Sequence, residues 1–188
     1  MAQKQDTAQN QAFDAIYRAH HRAVLAYCAR RTSRSNAWDA TAEVFLVAWR
    51  RPDAVPSGDG ALPWLFGVAY RTLANQRRSE RRSLRLVTKL RGQSPADGTL
   101  DPERQVLRNE DEREVIDALG RLRPADREII TLALWEELPP VEIAKVLGIS
   151  RAAVDKRFQR AKARLGEALP NNTADRATQI HVEEGGMP

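Results

Sequence analysis

The chain has 188 residues, 42% of them hydrophobic, with a formal net charge of +5. Its mean hydropathy of −0.55, with no apolar run near the ~20 residues a membrane span needs, argues against membrane insertion. The only cysteine, Cys28, excludes an intrachain disulfide and a multi-cysteine zinc site, and suits a reducing cytoplasm.

Residues 1–10 are polar, contain no apolar secretory core, and read as disordered. From 11 to 31, Phe13, Ile16, Tyr17, Val24, Tyr27 and Cys28 follow a helical period. Thr32 to Asn36 is a polar break, with Ser35 or Asn36 available as N-cap. A second helix is expected over 37–51, with Val44, Phe45, Ala48 and Trp49 apolar and Pro52 after its end. Pro52 to Gly60 is a loop on its glycine and proline density. Residues 62–89 read as one long helix. Trp64, Leu65, Phe66, Val68, Ala69 and Leu73 make its first half apolar, and arginine dominates the second. Gly92, Pro95, Gly98 and Pro102 mark 91–104 as a flexible linker. Helices resume over 105–120 and, after Pro124, over 124–136, and 170–188 is a polar, disordered tail. Alternation at period two never persists. The expected fold class is therefore all-α: two small helical domains, 11–90 and 105–169, on a tether.

Charge is distributed unevenly along this plan. Residues 71–91 hold eight basic side chains against Glu80, and 151–164 hold six against Asp155. Between them, 101–117 is net acidic. Two basic blocks on separate bodies suggest two nucleic-acid-facing surfaces.

The most specific pattern runs from Pro140 to Leu165. Ala144 is small where two helices would cross, and Gly148 suits the left-handed end of the first helix. Ser150 suits the N-cap of the second, flanked by Ile149 and Val154 at the hydrophobic-staple positions. Val154, Phe158, Ala161 and Leu165 then form one apolar stripe. The opposite side carries Asp155, Lys156, Gln159, Arg160 and Ala163. This is a helix-turn-helix whose second helix is shaped for a DNA major groove.

Catalysis is not expected. His20, His21 and His181 are the only histidines, and no carboxylate cluster at metal-ligand spacing, nucleophilic triad or phosphate-cradling glycine motif occurs. Nothing calls for a cofactor or metal.

These residues carry a resemblance. Ala37-Trp38-Asp39, Glu43 to Arg50, Trp64 to Arg71 and Asn75 to Arg78 resemble region 2 of bacterial extracytoplasmic-function (ECF, group 4) sigma factors, the promoter-recognition subunits of RNA polymerase. Ala118-Leu119, Leu122 to Glu128, Glu142-Ile143-Ala144, Leu147-Gly148 and Val154 to Leu165 resemble region 4. The chain departs from the family pattern at Ala42 (usually Gln), Arg71 and Asn75 (commonly Asn and Asp), Ala152 (usually Gly) and Asp155 (often basic).

The resemblance implies that region 2 docks on the clamp of the largest core subunit through Asp39, Glu43, Leu46, Trp49 and Arg50. Asp39 near its helix N-terminus would also meet the helix dipole, worth ~0.5 kcal/mol. It implies a flap contact on the second-largest subunit for region 4. The loop, with Ser57, Gly58, Asp59 and Gly60, would cradle a flipped base of the −10 non-template strand. Arg71, Asn75, Arg77 and Arg78 would hold adjoining DNA. Trp64 either stacks at the melted junction or belongs to the core. At −35, Asp155, Lys156, Gln159 and Arg160 would face base edges, while Arg151, Arg157 and Arg164 meet phosphates beside Ser150. Asp155 has an equal alternative, pairing with Arg151 or Gln159 on its own helix. Family members are commonly held by an anti-sigma factor, a further partner implied by resemblance. The expected setting is cytoplasmic and nucleoid-associated. A competing reading is a stand-alone helix-turn-helix regulator that binds promoter DNA without polymerase.

Overall fold

The computed structural model describes residues 2–91 and 110–168, and among these every regular element is helical. The helices are α1 (Ala2–Ala29), α2 (Arg34–Arg50), α3 (Ala61–Arg91), α4 (Glu110–Arg121), α5 (Pro124–Leu134), α6 (Pro140–Leu147) and α7 (Arg151–Ala168). The linker expected over 91–104 lies outside the described residues apart from Arg91, which ends α3. Residues 105–109 and the tail 170–188 lie outside them as well. The chain divides into two compact units, one holding α1 to α3, the other α4, α5, α7 and the first part of α6.

The helix boundaries that differ most from the sequence reading are the starts of α1 and α2. Helix α1 starts at Ala2, not after a disordered stretch to residue 10. Ala2, Gln3, Lys4, Gln5, Ala8 and Gln9 are good helix formers, so the low hydrophobicity of this stretch is compatible with helix. Gln9 is also fastened, its Nε2 donating to the Trp49 carbonyl at 3.3 Å. The N-cap of α2 is Ser33, not Ser35 or Asn36. Ser33 is extended, and its side chain accepts from the Asn36 amide at 3.4 Å. Ala37 is buried in the core, and its amide bonds the Ser33 carbonyl at 2.9 Å, so the helix must begin a turn earlier than Ala37 itself.

The first unit is a three-helix packing. Val24, Tyr27 and Cys28 of α1 meet Ala37, Ala40, Val44, Phe45 and Ala48 of α2 and Leu65, Phe66, Ala69 and Leu73 of α3, all buried. The alanines let α2 approach its neighbours closely, and Tyr27 stacks on Phe66 with ring centroids 4.9 Å apart. Thr41, also buried, is satisfied by donating to the Ala37 carbonyl at 2.7 Å.

In the second unit Ala118, Leu119 and Leu122 pack on Ile130 and on Ala161 and Leu165 of α7, with Phe158 partly buried against them. Arg127 joins α4 to α5. Its Nε donates to the Leu119 carbonyl at 2.7 Å and its Nη2 to that of Gly120 at 2.6 Å, satisfying acceptors that a helix end otherwise leaves open. The turn before α7 follows the sequence reading closely. Gly148 has φ 66°, the Ile149 amide bonds the Ala144 carbonyl at 3.1 Å, and Ser150 Oγ accepts from the Ala153 amide at 3.2 Å. Open space surrounds Gly148, so a Gly148→Ala variant suffers from backbone conformation alone. It is expected to lose about 1–2 kcal/mol of stability, measured as a fall in the denaturant midpoint at unchanged slope.

Candidate nucleic-acid interface

The first unit offers two surfaces. One starts where α3 emerges from the core. Between Leu73 and Leu84 the apolar spacing is interrupted, and Arg77, Arg78, Arg81 and Arg82 are exposed. Two contacts from the α1–α2 turn fasten this stretch. Arg77 Nη2 donates to the Arg31 carbonyl at 3.0 Å, and Asn36 Nδ2 donates to Glu80 Oε1 at 3.2 Å. Arg31 is itself seated, its guanidinium 3.5 Å above the Tyr27 ring and its Nη1 bonded to the Tyr27 carbonyl. Arg77 therefore has a structural partner, while Arg71, Asn75 and Arg78 project from the same helix exposed.

Beside them lies an open notch of about 310 Å³, between the end of α2, the following turn and α3. Arg51, Ala54, Trp64, Arg71, Thr72 and Asn75 line it. Trp64 is half-buried and forms one wall. Trp64 is thus not enclosed in the core, and it borders a recess of mixed lining that Val47 and Val68 share with Arg51, Arg71 and Asn75. Arg51 was absent from the sequence-derived set. It terminates α2 with non-helical backbone (φ −134°, ψ 59°), which no residue pattern announces.

Ser57, Gly58, Asp59 and Gly60 form a short turn entering α3, and the first three are exposed. Gly58 has φ 64° with nothing near it. Gly60 is required for another reason, since a Cβ there would meet Pro56 Cβ at 2.9 Å. The loop's path therefore depends on both glycines.

The second surface belongs to α1 and α2. Trp38, Leu46 and Trp49 are 50%, 43% and 38% exposed, and Asp39, Glu43 and Arg50 are exposed with them. Because α2 starts at Arg34, Asp39 falls past the first turn, and the dipole role suggested for it is much reduced. The structure enlarges this face. Phe13 lies edge-on to Trp49 at 5.1 Å, Tyr17 meets Phe45 at 4.8 Å, and His21 sits 6.0 Å from Trp38. Tyr17 is 40% exposed. The helical period of Phe13 and Tyr17 is legible in the sequence, but period alone does not tell core from an open apolar face.

In the second unit α7 buries Val154, Ala161 and Leu165 and leaves Arg151, Asp155, Lys156, Gln159 and Arg160 exposed, as the stripe requires. Ser150 is the cap already described, and Arg157 is half-buried. Arg164 is exposed, but its Nη1 lies 3.8 Å from Oδ2 of Asp126, a buried residue of α5. Arg151 Nε lies 3.8 Å from Asp155 Oδ2, so Asp155 takes the within-helix pairing that the sequence left as an alternative.

Comparison with known proteins agrees with this division into units. The family described as Sigma-70 region 2 matches residues 16–83, and Sigma-70, region 4 matches 112–165. The RNA polymerase sigma factor NccH of Alcaligenes xylosoxydans xylosoxydans is 31% identical over 86% of this chain and 88% of its own. The ECF RNA polymerase sigma factor SigL of Mycobacterium tuberculosis is 32% identical over 78% of this chain and 82% of its own. Among solved structures, the sigma factor RpoE from Bartonella quintana, in complex with the anti-sigma factor NepR, superimposes with a TM-score of 0.65 at 22% identity. That match covers 83% of this chain and 95% of the other. The chain accordingly belongs to the sigma-70 family as an ECF sigma factor, a non-enzymatic protein that directs transcription initiation by RNA polymerase.

Proposed function

We propose that the α1–α2 face docks on the clamp of the largest core subunit, that α3 with loop 52–60 holds the opened −10 strand, and that α7 reads the −35 duplex. The second unit meets the flap of the second-largest subunit. The observation that carries the docking assignment is the contiguous exposure of Trp38, Leu46 and Trp49 on a helix whose other face is fully buried. Apolar surface of this extent on a small unit marks a partner site. Asp39 and Glu43 beside it give electrostatic register against a basic partner.

For −10 DNA the support is the notch. Its Trp64 wall offers a stacking surface, and Arg51 and Arg71 offer phosphate contacts, the combination that captures single strands. At −35, the exposed face of α7 supplies Lys156, Gln159 and Arg160 to base edges, with Asp155 beside them near Arg151, and Arg157 and Ser150 toward phosphate. Arg164, exposed but 3.8 Å from Asp126, keeps a phosphate role from a side chain partly anchored on α5. Neither basic surface is large, and two weak sites on one rigid partner gain affinity through effective concentration. An anti-sigma factor, the kind of partner in complex with the Bartonella protein, would hold this chain inactive by covering its polymerase- and DNA-facing surfaces, in a cytoplasmic, nucleoid-associated setting. No helix among the described residues is long and apolar enough to cross a membrane.

The test is run-off transcription with purified core polymerase on a genomic promoter pool. Discrete core-dependent transcripts are expected, whereas a sequence-specific footprint without core would revive the stand-alone regulator. The double variant Arg71→Ala/Asn75→Ala is expected to bind core normally and to reduce promoter opening about tenfold or more, the loss of one or two charge-assisted contacts. Permanganate reactivity of unpaired thymines reads this directly.

A further inference from the structure

The geometry points to Arg151 as a base-reading side chain, with Asp155 as its positioning residue, selective for a guanine in the −35 element. This rests on the assignment of α7 to that duplex. Arg151 is the first residue of α7, and a helix-turn-helix presents the N-terminal residues of its second helix to base edges. The contact to Asp155 is made through Nε, at 3.8 Å. A guanidinium held there keeps Nη1 and Nη2 free on its outer edge, the two donors that span O6 and N7 of guanine. Both side chains are open to a ligand, 67% and 52% exposed.

Asp155 is the only acid between residues 151 and 164. Alone in a groove flanked by phosphates it would be repelled. Neutralised by Arg151 it becomes tolerable, and it biases the orientation of an otherwise flexible arginine. The other basic side chains of α7 with observed contacts are held differently. Arg160 Nε folds back to the Lys156 carbonyl at 3.4 Å, and Arg164 faces Asp126. Arg151 is thus a specifying contact, not the phosphate anchor its position in a basic helix first suggests.

The experiment uses the full chain with core polymerase on a promoter whose −35 element is randomised, counting transcripts from each sequence. Wild type is expected to prefer guanine at one position. Arg151→Ala should flatten that preference about tenfold, and Arg151→Lys should fail to restore it, because a point charge cannot bridge two acceptors. Asp155→Asn and Asp155→Ala should weaken the same position without creating a new preference, and Asp155→Ala/Arg151→Ala should be no worse than Arg151→Ala alone. Three results overturn the proposal. In one, Arg151→Ala lowers all sequences equally and makes the salt dependence shallower, the signature of a phosphate contact. In another, the Asp155 variants alter a different position, as a direct reader of cytosine would. In the third, wild type shows no −35 preference at all, which removes the assignment of α7 as well.

Discussion

Trp38→Ala is expected to weaken binding to core RNA polymerase about thirtyfold or more while leaving the fold intact. Trp38 is half exposed on α2 and its recorded ring neighbour is His21, 6.0 Å away, so the free protein has little to lose. At an interface the balance reverses. A tryptophan at the centre of a desolvated patch is a typical hot spot, and its truncation costs at least about 2 kcal/mol. The unfolding midpoint should shift by no more than the ±0.5 kcal/mol usual for surface changes. Leu46→Ala should act in the same direction but less, because it removes less area. Fluorescence anisotropy of labelled protein titrated with core enzyme gives the affinity, and urea unfolding gives the control. A variant that binds core normally would move the docking site off this face.

The contrast between Trp38 and Phe45 shows what the residue pattern could and could not reveal. Both lie on α2 and both are aromatic, yet Phe45 is buried against α1 and Trp38 is not. Periodicity fixes which residues share a face, and that was enough for the helices, for the Gly148–Ser150 turn and for the apolar stripe of α7. Each of these is local, set by a left-handed glycine, a side-chain cap and a spacing. Which apolar face stays uncovered depends on how α1, α2 and α3 are arranged, so the period that places Phe13 and Tyr17 on one face does not say whether that face is covered. The notch escaped for the same reason: Arg51, Trp64 and Arg71 meet only when the irregular end of α2 is placed against α3. Single side-chain partners were legible only in part. The i, i+4 spacing of Arg151 and Asp155 suggested their pair, but nothing in sequence directs Arg164 to Asp126 on another helix or Arg77 to the Arg31 carbonyl.

That last contact links the core to the DNA-facing helix and leads to the largest stability effect expected in the molecule. Tyr27 is fully buried, its ring stacked on Phe66 beneath and covered by the Arg31 guanidinium above. Replacing it with alanine removes an aromatic ring from a closed site, a change that costs about 3–5 kcal/mol. For a unit the size of α1–α3 that is a fall in melting temperature of at least about 10 °C. The consequence should extend beyond stability. Without the ring Arg31 loses its cation–π seat and keeps only its bonds to the carbonyls of residues 27 and 28, so the Arg31 carbonyl that receives Arg77 is held less firmly. Below its melting temperature Tyr27→Ala should therefore open promoters less well than its core affinity allows. Tyr27→Phe keeps the ring and loses only a hydroxyl, worth at most about 1.5 kcal/mol. Calorimetry on both variants, with open-complex yield at saturating core, separates the two effects. If the alanine variant melts no lower than the phenylalanine one, the Phe66–Tyr27–Arg31 stack is not what anchors the basic helix.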